Sequence, residues 1–133
     1  MTEVTAALLV AAAALWPTLA QQEPPSAPAE LVAAGIAVYR AQYCGACHRL
    51  AVAGTCGTFG PSHDAMAATA AQRLADPEYA GSADTPEAYL RESILEPLLY
   101  LVPGFAMTPH AMPSFAHLTP EDVDALVALL LAQ

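Results

Sequence analysis

Residues 44–48 read Cys44-Gly45-Ala46-Cys47-His48. At a helix end this spacing puts both sulfurs on one side, where they can form thioethers to the vinyl groups of a porphyrin. The chain then turns the His48 ring towards the iron of the same porphyrin, which is why C-x-x-C-H reads as a c-type haem attachment site. Two other uses of these thiols are open to the residues alone. A redox CxxC belongs beside a βαβ pattern, and none is visible here. A zinc site could recruit Cys44, Cys47, Cys56 and His63, a C-x2-C-x8-C-x6-H arrangement, but it would leave His48 without a role.

Working back from the motif, Leu31, Val32, Gly35, Ile36, Tyr39 and Tyr43 fall on one helical stripe. Pro28 and Glu30 suit a first turn, which predicts a helix over 28–46. Gly35 costs helix propensity, so the expectation is that another helix approaches closely there. Residues 21–28 (QQEPPSAP) hold three prolines and no apolar periodicity, and read as a linker. Residues 1–20 are a hydrophobic leader. Thr18-Leu19-Ala20 before Gln21 resembles a signal-peptidase site, although no Lys or Arg precedes the apolar run. Retained as a helix, residues 4–20 would span about 26 Å, slightly short of a bilayer core of about 30 Å. Cleaved or kept as an anchor, the leader implies an exported domain, periplasmic or on the outer face of the cytoplasmic membrane. The reading is therefore 1–20 signal peptide or anchor, 21–28 linker and 29–133 a single domain.

Forward of the motif, the loop from Arg49 carries Gly54, Cys56, Gly57 and Gly60-Pro61-Ser62. Cys56 is expected to be a small buried hydrophobe, with an intermolecular disulfide as the alternative. An Ala-rich helix over 64–74, with Ser62 as a possible cap, is expected next. Thr85-Pro86-Glu87 starts another helix that ends before Pro97. Residues 98–118 form a long connection with three prolines, and its Tyr100, Phe105, Met107, Met112 and Phe115 argue for packing against something. Thr119-Pro120-Glu121-Asp122 opens the last helix, whose buried face is Val123, Leu126, Val127 and Leu130.

Strand signals are weak, alanine is abundant and apolar residues recur at three and four, so the fold class is all-α, about four helices. A domain near one hundred residues buries only about two-thirds of its unfolded surface, and a flat apolar macrocycle would supply the missing core. The four Lys and Arg (all arginine) against thirteen acids give a formal charge of −9, which argues against nucleic acid as a partner. A steered partner should instead present a basic surface.

Taken together, the chain resembles a class I monohaem cytochrome c over about residues 29–133. The landmarks are Gly35 and Tyr39 before CGACH, Gly60-Pro61-Ser62 after it, Met112-Pro113, and the closing amphipathic helix. Residues 89–97 (YLRESILEP), with Tyr100 and Gly104 beyond, are similar to haem domains serving terminal oxidases and other bacterial respiratory complexes. The resemblance implies one covalent haem c and a crossing of the first and last helices near Gly35, with Tyr39 against Leu126 or Leu130. It also implies that the Pro61 carbonyl accepts from the second ring nitrogen of His48, in line with the general behaviour of metal-bound histidine.

His48 is thus the proximal ligand. For the opposite face the candidates are Met112, Met107, His110, His117 and His63. Met112 leads because Pro113 stiffens the backbone that presents its sulfur, and because the family places a methionine there. Buried propionates need donors, which makes Arg73 and Arg91 candidates, with Tyr89 and Tyr100 as hydroxyl donors. His63 stands where the family usually has an apolar residue, and it is expected to be exposed. The function implied is one-electron transfer, as a carrier rather than an enzyme, between respiratory or photosynthetic components. The partners are redox proteins with basic docking surfaces, among them a membrane respiratory complex. An open-site haem enzyme or gas sensor, and a structural zinc module, are the alternatives.

Overall fold

The computed structural model describes residues 27–133. The leader and most of the linker expected from the sequence lie outside the described residues. Four α-helices carry the domain: α1 (Ala29–Ala41), α2 (Met66–Leu74), α3 (Pro86–Leu95) and α4 (Pro120–Leu131). A short antiparallel ribbon, β1 (Arg49–Leu50) with β2 (Thr55–Cys56), follows the CGACH turn. Among the described residues no helix is long and apolar enough to cross a membrane.

The core is built on α4. Val123, Ala125, Leu126, Val127, Ala128, Leu129 and Leu130 are all buried, so the helix is covered nearly all round rather than on the one face expected. The reason is that α1, α2 and α3 all pack on it. Where α1 crosses, a Cβ on Gly35 would run into the Ala125 carbonyl oxygen and lie 2.7 Å from Leu129 Cβ. Only a bare Cα allows the two backbones to approach this closely. Gly35→Ala would gain about 1 kcal/mol of helix propensity. The opposing overpacking cost is about 1–3 kcal/mol, and here the blocking atom is backbone that cannot rotate away. A net loss of stability is expected, read as a lower midpoint in denaturant unfolding of the haem-bearing protein.

Helix starts follow local chemistry. Thr85 Oγ1 accepts from the Ala88 N–H at 3.2 Å, and Thr119 Oγ1 from the Asp122 N–H at 3.2 Å, each with proline in the next position. Thr119→Ala should cost about 1 kcal/mol in thermal or denaturant unfolding, with the visible spectrum unchanged.

Two boundaries differ from the sequence reading. α1 stops at Ala41, because Tyr43 turns left-handed at φ 57° and is 80% exposed instead of closing the apolar stripe. α2 starts at Met66 rather than residue 64. The Asp64 carboxylate is spent on the Ala51 N–H at 2.9 Å and on Arg49 at 2.9 Å, while Ser62 Oγ accepts from Asp64 N and caps no helix. Residues 98–118 contain neither helix nor strand. Their Phe115 N–H and Ser114 hydroxyl donate to the Ile94 and Leu95 carbonyls at 3.1 and 2.6 Å, which satisfies the end of α3 and pins the loop.

Candidate haem site

One turn sets up the site. After the left-handed Tyr43, residues Cys44–Ala46 make a single 3-10 turn, and the Cys47 and His48 N–H groups both donate to the Cys44 carbonyl, at 3.2 and 3.0 Å. Both cysteines are half-buried. Glycines let the following loop fold back on this turn. A Cβ on Gly57 would meet the Cys47–His48 peptide, and one on Gly45 would meet the Thr55 side chain. Thr55 Oγ1 donates to the His48 carbonyl at 3.0 Å and accepts from the Leu50 N–H at 3.0 Å.

His48 is 7% exposed and its Nδ1 lies 2.7 Å from the Pro61 carbonyl oxygen. A carbonyl can only accept, so Nδ1 carries the proton and Nε2 keeps its lone pair. Burial, and secondarily Arg73, hold the ring below the usual histidine range against the opposing pull of Pro61. The ring is therefore a neutral donor, as iron ligation requires.

His48, Cys44 and Cys47 line a cavity of about 350 Å³ bounded by apolar side chains from α3, α4 and the 98–118 loop, among them Leu90, Ile94, Leu126, Leu130 and Phe105. Tyr43, Phe59 and Leu101 line the same cavity and are at least half exposed or nearly so (80%, 50% and 49%), so they mark its mouth. A hollow of this kind in so small a core is the shape a flat apolar group would fill.

Of the distal candidates, Met112, His110 and His63 line the cavity, while Met107 and His117 do not. Met107 is 96% exposed. His110 is exposed and stands edge-on to Phe59, with ring centroids 4.6 Å apart.

Arg73 reaches the cavity wall, where Nη1 donates to the Tyr89 hydroxyl at 3.2 Å. Arg91 does not. It lies outside the cavity lining, and its guanidinium pairs with Asp124 at 2.6 Å and Glu87 at 3.8 Å. The face of α3 that lines the cavity carries Tyr89, Leu90, Ser93 and Ile94, and the meeting of α3 with α4 brings Asp124 within reach of Arg91 instead. Tyr100 lines the cavity, but its hydroxyl proton goes to Asp76 Oδ2 at 2.6 Å. Burial first, then Asp76, pushes the Tyr100 phenol up to about 12, while the same bond lowers Asp76. Tyr89 lines the same wall and accepts from Arg73.

Two expectations are corrected. Cys56 is exposed on β2, because its partner across the ribbon is the surface residue Arg49 and neither packs on the core. It does not join Cys44, Cys47 and His63. Among the described residues no three His, Cys, Asp or Glu side chains gather to hold a metal. His63 is not exposed either. It is half-buried in the cavity wall with its ring stacked on His48, centroids 3.9 Å apart and planes 14° from parallel. Its surroundings, burial first and then His48 and Arg73, hold it well below the usual histidine range.

The donor set fits haem. An imidazole and a thioether line one apolar cavity, two thiols stand beside the imidazole, and among the described residues no protein cage gathers to complete a metal site without a macrocycle. The profile of the cytochrome c family matches residues 32–133, which is most of the chain. The protein therefore belongs to the cytochrome c family, with a class I fold, and is a haem-binding electron-transfer protein whose cofactor is covalent haem c. No curated protein and no solved structure matches it.

Proposed function

We propose that the protein is a single-electron carrier in which Cys44 and Cys47 would tether the haem and His48, through Nε2, and Met112 would hold its iron. The observation that carries this reading is the convergence of His48 and Met112 on one apolar cavity, with the His48 tautomer set by Pro61. Bound haem supplies a one-electron change of iron between Fe(II) and Fe(III). The chain's own contribution is to hold one soft sulfur and one neutral nitrogen, to exclude water with Leu90, Ile94, Leu126 and Leu130, and to present a mouth at Tyr43, Phe59 and Leu101. With His48 and Met112 both given to the iron, the haem would pass electrons rather than bind a substrate. Arg73 and Tyr89 are the donors for a propionate, with Tyr100 acting through Asp76 as packing at the same wall.

The test is a potentiometric titration of the purified protein with carbon monoxide added to the reduced form. A reversible one-electron wave with no rapid gas uptake supports the carrier. Rapid uptake favours the open-site enzyme or sensor.

The partner is a redox protein with a basic docking surface. The formal charge of −9 supports this, and each arginine of the described domain is already engaged, Arg40 with the Ala53 carbonyl and the others as above. Reduction by a basic partner should slow several-fold between about 0.01 and 0.15 M salt, since screening shortens from about 30 to 8 Å over that range. Stopped-flow rates across a salt series check it. The hydrophobic leader supports an exported protein, delivered by a cleaved signal or held by an anchor near a membrane respiratory complex. An anchor would raise the effective concentration of the haem domain there.

A further inference from the structure

We propose that His63, held by Tyr39, is a positioning residue that fixes the plane of the His48 ring and through it biases the iron between its two oxidation states. The proposal rests on reading His48 as the iron ligand. The two imidazoles lie in van der Waals contact, centroids 3.9 Å apart and 14° from parallel. Rotation of the His48 ring about its Cβ–Cγ bond would drive it into His63. The other restraints on His48 are the Nδ1 bond to Pro61 and the bare Cα of Gly60, where a Cβ would lie 2.7 Å from Nδ1. They hold the edge of the ring. His63 covers a face.

His63 can act as a wall because it is itself held. Its backbone N–H donates to the Arg49 carbonyl at 2.8 Å, and its ring Nδ1 lies 3.2 Å from the Tyr39 hydroxyl. Tyr39 is 1% exposed in the core of α1, and the same hydroxyl is 3.4 Å from the His48 carbonyl. A phenol has one proton. The His48 carbonyl can only accept, so Tyr39 donates there and His63 Nδ1–H donates to Tyr39. One hydroxyl thus ties the backbone of the ligand residue to the ring stacked on it, and fixes the His63 tautomer with Nε2 unprotonated.

An aliphatic side chain at position 63 could fill much of the volume, but it would lack the flat face and the bond to Tyr39 that hold the His48 ring in plane. What the imidazole adds is a neutral ring with an electron-rich face laid against the His48 ring. That ring becomes electron-poor when the iron it binds is oxidised, so the stack favours Fe(III). Groups around a ligating histidine act on the metal in this way.

His63→Leu and Tyr39→Phe, read in the haem-bearing protein, test the proposal. Two readouts serve: the g-value spread of the ferric low-spin electron paramagnetic resonance signal, which follows the ligand plane, and the Fe(II):Fe(III) ratio in a fixed redox buffer. His63→Leu should change the g-spread and shift the ratio towards Fe(II) by about two- to tenfold, the worth of one ring stack. Tyr39→Phe should do both in the same direction and less. A haem-bearing His63→Leu protein with wild-type g-values and ratio overturns the proposal. Should that variant not accumulate, Tyr39→Phe, which removes a single oxygen, decides it by the same readouts. Failure of the carrier reading would look different, because wild type itself would then lack a low-spin nitrogen–sulfur signal.

Discussion

Gly60→Ala will leave the haem attached but loosen the imidazole from the iron. The added Cβ would press on the His48 ring, 2.7 Å from Nδ1 and 3.0 Å from Nε2. The ring has nowhere to retreat, with Pro61 2.7 Å away on Nδ1 and His63 stacked on its face. Either the ring turns, and the Nε2 lone pair loses its aim, or the 60–61 backbone shifts and the Pro61 bond breaks. Loss of such a partner typically weakens metal binding by about 10–100-fold. Cys44 and Cys47 are untouched, so the alkaline pyridine spectrum should remain c-type while the ferric spectrum moves from low spin towards high spin. Gly54→Ala is the control. Its φ of +70° carries strain, of order 1 kcal/mol, but nothing lies within 4 Å of an added Cβ, so stability falls slightly and the spectrum does not change.

Met112→Ala will produce the second large effect, an open coordination position. A thioether favours Fe(II) and holds the potential up. Without it the potential should fall by on the order of 0.1–0.3 V, inside the roughly 0.8 V range that axial ligands span. The reduced variant should take up carbon monoxide within mixing time. Met107→Ala should do neither, because Met107 is 96% exposed and stands outside the cavity wall. If the two variants behaved alike, the assignment of Met112 would fail. A potential drop in Met107→Ala alone would move the ligand to that residue.

The attachment motif was legible because covalent capture of a porphyrin needs contiguous residues, and contiguity is what a sequence displays. Gly35 and the capped starts at Thr85 and Thr119 were legible for similar reasons, since propensity and capping act over one turn of chain. His63 was not. Its placement depends on how the Gly54–Gly60 loop folds back, a matter of where Gly57 meets the Cys47–His48 peptide. The composition of that stretch carries no sign of it. The same holds for Cys56, whose exposure follows from pairing with Arg49 across a two-residue ribbon too short to leave an alternating pattern. Arg91 was one of four cations and a reasonable propionate donor by count, yet Asp124, thirty-three positions away, claims it. The bond from the Tyr100 hydroxyl to Asp76 is equally invisible in the sequence, because Asp76 is polar surface there and becomes a hydrogen-bond acceptor only once the chain folds.

The central claim is that a nitrogen from His48 and a sulfur from Met112 hold the same iron. The ferric visible spectrum of the wild-type protein tests it most directly. A weak long-wavelength absorption band characteristic of sulfur ligation is expected in wild type and should be absent in Met112→Ala. A ferric wild-type spectrum without that band, together with prompt carbon monoxide binding on reduction, would contradict it.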